Sequence, residues 1–453
     1  MINVGQKIKI TIEKIITGGD GIGRYGGFVV MVPYSAPKDV LLVEIISVKK
    51  NFARAGIISV ISPSPHRIIP PCPFFYSLST SHFLLPAYYC GGCNLEMLGY
   101  PHQIEAKLSI IKDFFPRINP ETVPAEECFN YRNKIQMPVG GTAGKIKMGF
   151  YHPRSHNIVN VTNCRLQSET ANTIISELRN LFNEYSVQPY NEDRRAGVLR
   201  HVILRQSAAF NSFMLILVSK TDFIRSVDEI IKRIVKKFPQ ITSIHQNINS
   251  RDTNVILGDR TVKLYGEKTI KEKIGDVVFE ISPGSFFQVN TAQAEKLYQV
   301  IKGYAELSGT ENVVDVYCGS GGISLYLARY CKNIVGIEEA EQAVFDARRN
   351  SILNGIKNTF FIKKSADYAL PELEIPKDSI VILDPPRVGC SQSVINSLIK
   401  RRPEKIIYTS CNPATLSRDI KLMSKEYKLD GLSMVDMFPQ TAHIECVAKL
   451  IRC

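Results

Sequence analysis

Polar and apolar residues alternate over residues 7–12, Lys-Ile-Lys-Ile-Thr-Ile, at the period of a half-buried strand. A glycine-rich turn at 18–23 follows, then apolar runs at 28–32 and 40–45 that predict further strands. Because a strand rather than a helix succeeds those glycines, they are not a dinucleotide-binding fingerprint. Residues 1–62 therefore predict a small all-β unit, and Ser62-Pro63-Ser64-Pro65 reads as a linker. Between 95 and 275 the pattern is mixed, with a helix over 103–115 and strands over 131–139, 148–151 and 202–204. Beyond 275 short apolar runs at 312–317, 334–338, 379–384 and 406–408 alternate with helical stretches at 323–330 and 343–354. That alternation predicts a doubly wound α/β domain. The expected organisation is an all-β barrel over 1–62, a central α+β unit over 63–275 and an α/β domain over 276–453.

Charge changes this picture toward a partner. The formal net charge is +13 with a pI near 9.1, which favours a polyanion. Arg194, Arg195, Arg200, His201 and Arg205 flank the 202–204 strand and predict a surface that holds a nucleic-acid backbone. Trp is absent, so base stacking falls to Tyr, Phe or His. In the first unit Gly18-Gly-Asp-Gly-Ile-Gly-Arg24 followed by Phe28-Val-Val-Met-Val-Pro33 resembles the TRAM domain, an oligonucleotide-binding-like barrel attached to RNA-modifying enzymes. The resemblance implies that this unit binds RNA. No run of about 18 apolar residues offers a membrane span. The first residues lack the apolar core of a signal peptide, so a cytoplasmic location is expected, with a monomer as the default.

Eleven cysteines in such a chain read as metal ligands, nucleophiles or core residues rather than disulfides. Cys90-Gly-Gly-Cys93 places two thiolates where the backbone can wrap a metal, and Cys72 and Cys164 could complete a set of four. Spacing does not choose between zinc and a [4Fe-4S] cluster. In the α/β region Asp315-Val-Tyr-Cys-Gly-Ser-Gly321 ends a strand with an acid before a glycine loop, and Glu338 ends the next strand, where it can accept both hydroxyls of a ribose. A strand-end acid suits a cationic, phosphate-free ligand, which points to S-adenosylmethionine. Asp384-Pro-Pro-Arg387 lacks the aromatic residue that amino-methylating enzymes stack on a base. The chain offers instead Cys411, in Ser410-Cys-Asn-Pro413, at the end of a buried strand. A thiolate is useful when the methyl acceptor is C5 of a pyrimidine, because attack at C6 makes C5 nucleophilic. The C5 proton then needs a base, for which Glu445 is the candidate and His443 the rival.

These motifs together resemble the RNA uracil-C5 methyltransferase family, which includes 23S ribosomal RNA and transfer RNA enzymes. The likeness runs through Cys90-Gly-Gly-Cys93, Tyr131-Arg-Asn-Lys134, Gly149-Phe-Tyr151, Gln246-Asn-Ile-Asn249 and Ser285-Phe-Phe-Gln-Val-Asn290 to His443-Ile-Glu445. It implies a class I S-adenosylmethionine-dependent methyltransferase domain behind the barrel and the central unit. Cys411 would be the nucleophile and Glu445 the proton acceptor. Gln288, Tyr317, Glu338 and Asp384 would line the S-adenosylmethionine and uracil pocket, and Cys72, Cys90, Cys93 and Cys164 would bind a [4Fe-4S] cluster. The sequence departs from the family where residues 73–89 separate the first two cysteines, which the family usually keeps a few residues apart. The expected substrate is 23S ribosomal RNA, with transfer RNA as the runner-up. A noncatalytic RNA-binding factor is disfavoured by the intact Cys411 and Glu445, and a folate- and flavin-dependent enzyme by the lack of a flavin fingerprint.

Overall fold

The computed structural model describes residues 2–76 and 89–453, and among these the strands form four sheets. The first holds β1 (Lys7–Thr11), β2 (Lys14–Ile15), β3 (Gly21–Tyr25), β4 (Phe28–Val32), β5 (Val40–Val48) and β6 (Phe52–Ser62) in the order β1-β5-β6-β4-β3-β2. Its core follows from the alternation: Ile8 and Ile10 point inward while Lys7, Lys9 and Thr11 are exposed. The stretch read as a linker is pinned. Buried Asp39 accepts hydrogen bonds from Ser64 N (2.8 Å) and Arg67 Nη2 (2.6 Å), tying the exit of β6 back onto the barrel.

Helix α1 (Tyr100–Phe114) carries Pro101 in its first turn and buries Ala106, Lys107, Ile110 and Ile111 between the barrel and the C-terminal region. Lys107 Nζ lies 2.6 Å from Asp436 Oδ1, and both side chains are fully buried. The ammonium also donates to Phe438 O (3.1 Å), and Tyr100 Oη donates to Asp436 Oδ2 (2.9 Å). Strand β7 (Glu121–Val123) follows.

The central sheet contains β8 (Lys134–Thr142), β9 (Lys145–Tyr151), β10 (Ile158–Asn160), β11 (Leu199–Ser207), β12 (Ser212–Ser219), β13 (Ile241–Ile248) and β14 (Arg260–Gly266), in the order β10-β9-β8-β11-β12-β13-β14. Helices α2 (Glu169–Glu184) and α3 (Val227–Lys237) cover one face, and a second core on the other face joins this sheet to the C-terminal domain. Burial on both faces corrects the expectation that Arg200, His201 and Arg205 hold a nucleic-acid backbone, since all three are buried. Arg200 Nη1 donates to Asn249 O (3.0 Å) and Arg251 O (2.5 Å), and Arg205 Nη2 donates to Ser285 O (2.8 Å). Only Arg194 and Arg195 of that group are exposed.

A hairpin of β15 (Ile270–Ile274) and β16 (Val277–Ile281) and helix α4 (Thr291–Ala305) lead into the doubly wound domain. Its elements are β17 (Asn312–Val316), α5 (Gly322–Leu327), β18 (Asn333–Glu338), α6 (Glu341–Leu353), β19 (Thr359–Lys363), α7 (Ala366–Glu372), β20 (Ile380–Leu383), α8 (Gln392–Arg401), β21 (Lys405–Ser410), α9 (Pro413–Met423), β22 (Tyr427–Val435) and β23 (Glu445–Arg452). The sheet order is β19-β18-β17-β20-β21-β23-β22-β7, so β7, from within the stretch 63–275, extends this sheet rather than the central one. The parallel strands are buried apolar runs, as two-sided covering by helices requires. No helix among the described residues is long and apolar enough to cross a membrane.

Lys107→Met should leave the Asp436 carboxylate buried without its cation. Loss of one partner from a buried ion pair costs about 3–5 kcal/mol. The expected outcome is a drop of that order in chemical denaturation, together with faster proteolysis of the 436–443 connection that Lys107 and Tyr100 hold.

Candidate functional site

The carboxyl ends of β17, β18 and β20 open onto one cavity of about 930 Å³, where open α/β sheets place ligands. Tyr317 follows β17 in a left-handed conformation (φ +69°), and Gly319 and Gly321 (φ +55° and +83°) continue the turn. A Cβ at Gly322 would come within 2.4 Å of Tyr298 Oη, so glycine is needed for helix α5 to start this close to α4. Glu338 accepts from Gly319 N (3.1 Å) and Ala340 N (2.8 Å), which fixes its carboxylate at the cavity lip. Gln288, Tyr317, Glu338 and Asp384, all expected from the sequence, line this one cavity.

The wall carrying Gln288 is held from two sides. Asp346 of α6 accepts from Ser282 Oγ (2.8 Å) and Ser285 Oγ (2.6 Å). From the central region Asn133 Nδ2 donates to Gln288 O (3.0 Å), Asn133 N to Val289 O (2.8 Å) and Arg205 to Ser285 O. Arg205 thus supports the cavity from inside the fold.

Sequence reasoning missed Asp367, Ser391 and the exposed ring of Phe286 in the same lining. Ser391 Oγ donates to Asp367 Oδ1. Asp367 stands in the first turn of α7, just after β19, so extending the series of acids that follow strands would have found it.

Cys411 follows the last residue of β21. The side chain of Asn412 caps α9 by accepting from Ala414 N (3.1 Å), and Pro413 takes the first helical position. Ser410 pairs with Cys446 across the antiparallel β21–β23 ladder, so Cys411 and Glu445 are the next residues opposite each other. The parallel pairing of Leu383 with Tyr408 brings Asp384 to the same edge. Burial and then the Glu445 charge push the Cys411 thiol up, against the opposing guanidinium of Arg387. Burial and then Asp384 push the Glu445 carboxyl well above the usual carboxylate range. Burial also raises Asp384, to about 7. A thiol and two carboxyls thus share one poorly solvated corner beside the cavity.

Cys72, Cys90, Cys93 and Cys164 converge on a separate cavity of about 230 Å³, lined also by Glu96 and His443. Gly92 N donates to Cys90 Sγ (3.3 Å), and Glu96 Oε1 accepts from Cys72 N (3.0 Å). Burial, followed by the charges of neighbouring thiols and Glu96, pushes Cys90 up to about 12 and, with Glu96 ahead of Cys164, Cys72 to about 11. Among the described residues no group of three or more His, Cys, Asp or Glu is arranged to hold a metal ion. Of the stretch between Cys72 and Cys90, residues 77–88 lie outside the described residues. His443, the rival base, borders this cysteine cavity and sets its ring 5.6 Å from that of Phe438.

Residues 223–453 match the family described as tRNA (uracil-5-)-methyltransferase, and residues 3–58 match the TRAM domain. An RNA methyltransferase of Bacillus cereus is 37% identical over 99% of this chain and 98% of its own length. One of Clostridium acetobutylicum is 39% identical over 98% of this chain and 96% of its own. The chain belongs to the tRNA (uracil-5-)-methyltransferase family. It is an RNA (uracil-5-)-methyltransferase with an N-terminal TRAM domain. A solved structure, the Pyrococcus abyssi tRNA (uracil-54, C5)-methyltransferase in complex with S-adenosyl-L-homocysteine, is 29% identical and superposes with a TM-score of 0.79. That match covers 98% of this methyltransferase and 100% of the solved chain.

Asp315, fully buried below the glycine turn, accepts from Ser324 Oγ (2.5 Å). Burial, reinforced by Asp384, outweighs that bond and raises its carboxyl to about 7. An unfolded aspartate ionises near pH ~4, so above that pH the folded state keeps a proton the unfolded chain has lost. Stability from this group is complete below pH ~4 and is lost as pH rises through about 7. Asp315→Asn removes that loss. The stability difference, variant minus wild type, should increase from pH ~4 to pH ~7 in denaturant titrations.

Proposed function

We propose that this enzyme methylates C5 of a specific uridine in 23S ribosomal RNA, using S-adenosylmethionine and a covalent bond from Cys411 Sγ to C6 of the uracil. The observation that carries the reading is the placement of Cys411 and Glu445 one step beyond the Ser410–Cys446 pair, at the strand ends where Asp384 lines the 930 Å³ cavity. In the cavity the amide-held Glu338 suits the two hydroxyls of a ribose. Gln288, Tyr317 and Asp384 line the space between it and the reaction corner. The Pyrococcus abyssi relative, solved with S-adenosyl-L-homocysteine, supports this use of the cavity. S-adenosylmethionine, when bound, supplies an electrophilic methyl group.

The residues of this chain account for the remaining steps. The Cys411 thiol gives its proton to solvent, the Arg387 charge favours the thiolate, and its sulfur adds to C6 as the C5–C6 π bond breaks. The electron pair displaced from the C5–C6 double bond makes C5 nucleophilic, and C5 takes the methyl group. Glu445 then accepts the C5 proton, the C5–C6 double bond re-forms, and the S–C6 bond breaks to restore Cys411. A carboxyl raised by burial and by Asp384 binds that proton more strongly than a solvated one.

The choice of 23S ribosomal RNA rests on the TRAM domain together with the cysteine cavity, a combination the resemblance associates with those enzymes. The transfer RNA T-loop is the second reading, favoured by the substrate named for the Pyrococcus abyssi relative. Mapping methyluridines in cells lacking this protein, in 23S RNA and in the T-loop, decides between them. We also propose that Cys72, Cys90, Cys93 and Cys164 hold a [4Fe-4S] cluster. Four thiols line one cavity and would supply the donor set once drawn together, and bound iron would stabilise the thiolates that burial disfavours. No catalytic step depends on it.

Two outcomes check these assignments. Cys411→Ala should abolish methylation and any covalent protein–RNA species. Glu445→Gln should accumulate protein joined to methylated RNA on a denaturing gel, because elimination lacks its base. An adduct formed by Cys411→Ala on 5-fluorouridine RNA would remove Cys411 as the nucleophile, and normal turnover by Glu445→Gln would remove that base. Anaerobically purified protein should be brown with broad absorption near ~400 nm and contain about four irons per chain, and Cys90→Ser should bleach it. Colourless protein with stoichiometric zinc would replace the cluster by a zinc site.

A further inference from the structure

A cavity of about 560 Å³ opens in the central sheet, apart from the reaction corner and from the cysteines. A β-bulge in β11 at Leu199/His201 creates its floor. Successive side chains of a regular strand point to opposite faces, but a bulge re-aims one of them. Here the consecutive Arg200 and His201 both line the same cavity. They are 5% and 8% exposed. Among the described residues Arg200 Nε and His201 Nδ1 have no hydrogen-bond partner and no accessible surface, so contact from the cavity falls to the remaining nitrogens of these two side chains. The rings of Tyr151 and Tyr190 form part of the wall, and Arg200 stacks on Tyr190 at 4.8 Å.

The chemistry of this wall selects a flat, uncharged, hydrogen-bonding ligand. Lys147, Glu192 and Asp193 all line the cavity, so its charge is mixed and does not select a phosphate. Burial, with Arg200 alongside, pushes the His201 imidazole down to about 4, so the ring is neutral at physiological pH. A neutral imidazole donates from one nitrogen and accepts at the other, and a guanidinium only donates. The edge of a nucleobase presents both kinds of group, and its faces stack on tyrosine. The cavity also adjoins the cysteine cavity through Phe74, which lines both. His443 borders the far side of that second cavity, and Glu445 lies two residues further along the chain. From these observations, and resting on the RNA-methylating reading above, the structure assigns this cavity as an accessory pocket for an unpaired base of the RNA substrate, distinct from the methylated uridine.

The test uses the full-length protein and an RNA fragment carrying the methylated uridine, with a set of fragments each made abasic at one unpaired position. Tyr151→Ala removes a stacking face from a half-buried site, and Asn157→Trp fills the mouth from an exposed turn. Each variant should weaken RNA binding about tenfold, with melting temperature and S-adenosyl-L-homocysteine binding unchanged. One abasic position should weaken wild-type binding by the same factor and cause no further loss in the variants. Wild-type RNA affinity in Asn157→Trp would overturn the assignment, as would abasic losses that add in full to those of the variants at every position. If wild-type enzyme methylates uridine normally while this coupling is absent, only the accessory pocket falls. If it methylates no RNA, the underlying reading falls with it.

Discussion

Strands β17, β20 and β21 run parallel and release their last residues at one edge of the sheet, while antiparallel β23 begins at that edge. Backbone hydrogen bonding therefore decides which side chains meet. The ladder that pairs Ser410 with Cys446 sets Cys411 against Glu445, and the register of β20 on β21 adds Asp384. A slip of one residue would turn every side chain of β23 to the other face. A slip would take Cys446, Ala448 and Leu450 out of one core and Val447 out of the other, so close packing on both faces holds the register.

The loops around this edge are held by buried polar contacts rather than by length or composition. Lys107 and Tyr100 grip Asp436 at the start of the connection that leads to Glu445. Gln103 continues the grip, donating from Nε2 to Gln440 Oε1 (2.8 Å) and accepting from Gln440 N (2.9 Å). On the other side Asp419 of α9 accepts from Tyr408 Oη (2.6 Å) and Cys390 N (2.9 Å), which secures the segment after Asp384-Pro-Pro-Arg387. Arg205, Asn133 and Asp346 do the same for the wall that bears Gln288. Lys107, Gln103, Asn133 and Arg205 come from outside the α/β domain, so the docked helix α1 and central sheet hold loops around a cavity whose lining lies within residues 284–422.

This distribution explains what the sequence could and could not reveal. The α/β strands were legible because burial on both faces leaves continuous apolar runs, and the barrel because β1 keeps strict alternation. Cys411 and Asp384 stood out because each ends an apolar strand just before a proline turn, and Glu338 because an acid ends its apolar run. Arg200, His201 and Arg205 misled because charge beside an apolar strand usually marks a solvent face. Strand β11 instead lies mid-sheet and its basic residues are buried, with Arg200 and Arg205 each donating from one nitrogen to carbonyls of distant loops. Strand β7 has three residues and no periodicity to read, so its place at the far edge of the C-terminal sheet emerged only from the pairing. The opposition of Cys411 to Glu445 was hidden for the same reason: register is a property of two strands together.

The site also stores electrostatic repulsion. Asp315, Asp384 and Glu445 are all raised by burial, and the charge of Asp384 raises the other two further. Arg387 is exposed and opposes this only in part. Carboxyls in that condition keep protons they would shed in water, and a cation placed among them lowers their proton affinity. Under the proposed chemistry a cationic ligand held where Asp384 lines the cavity would favour the ionised form of these carboxyls. A neutral ligand in the same place would leave them with the proton affinity that burial gives. Under the same proposal, the desolvation that makes Glu445 a poor resting carboxylate would make it a stronger base for the C5 proton once it is ionised.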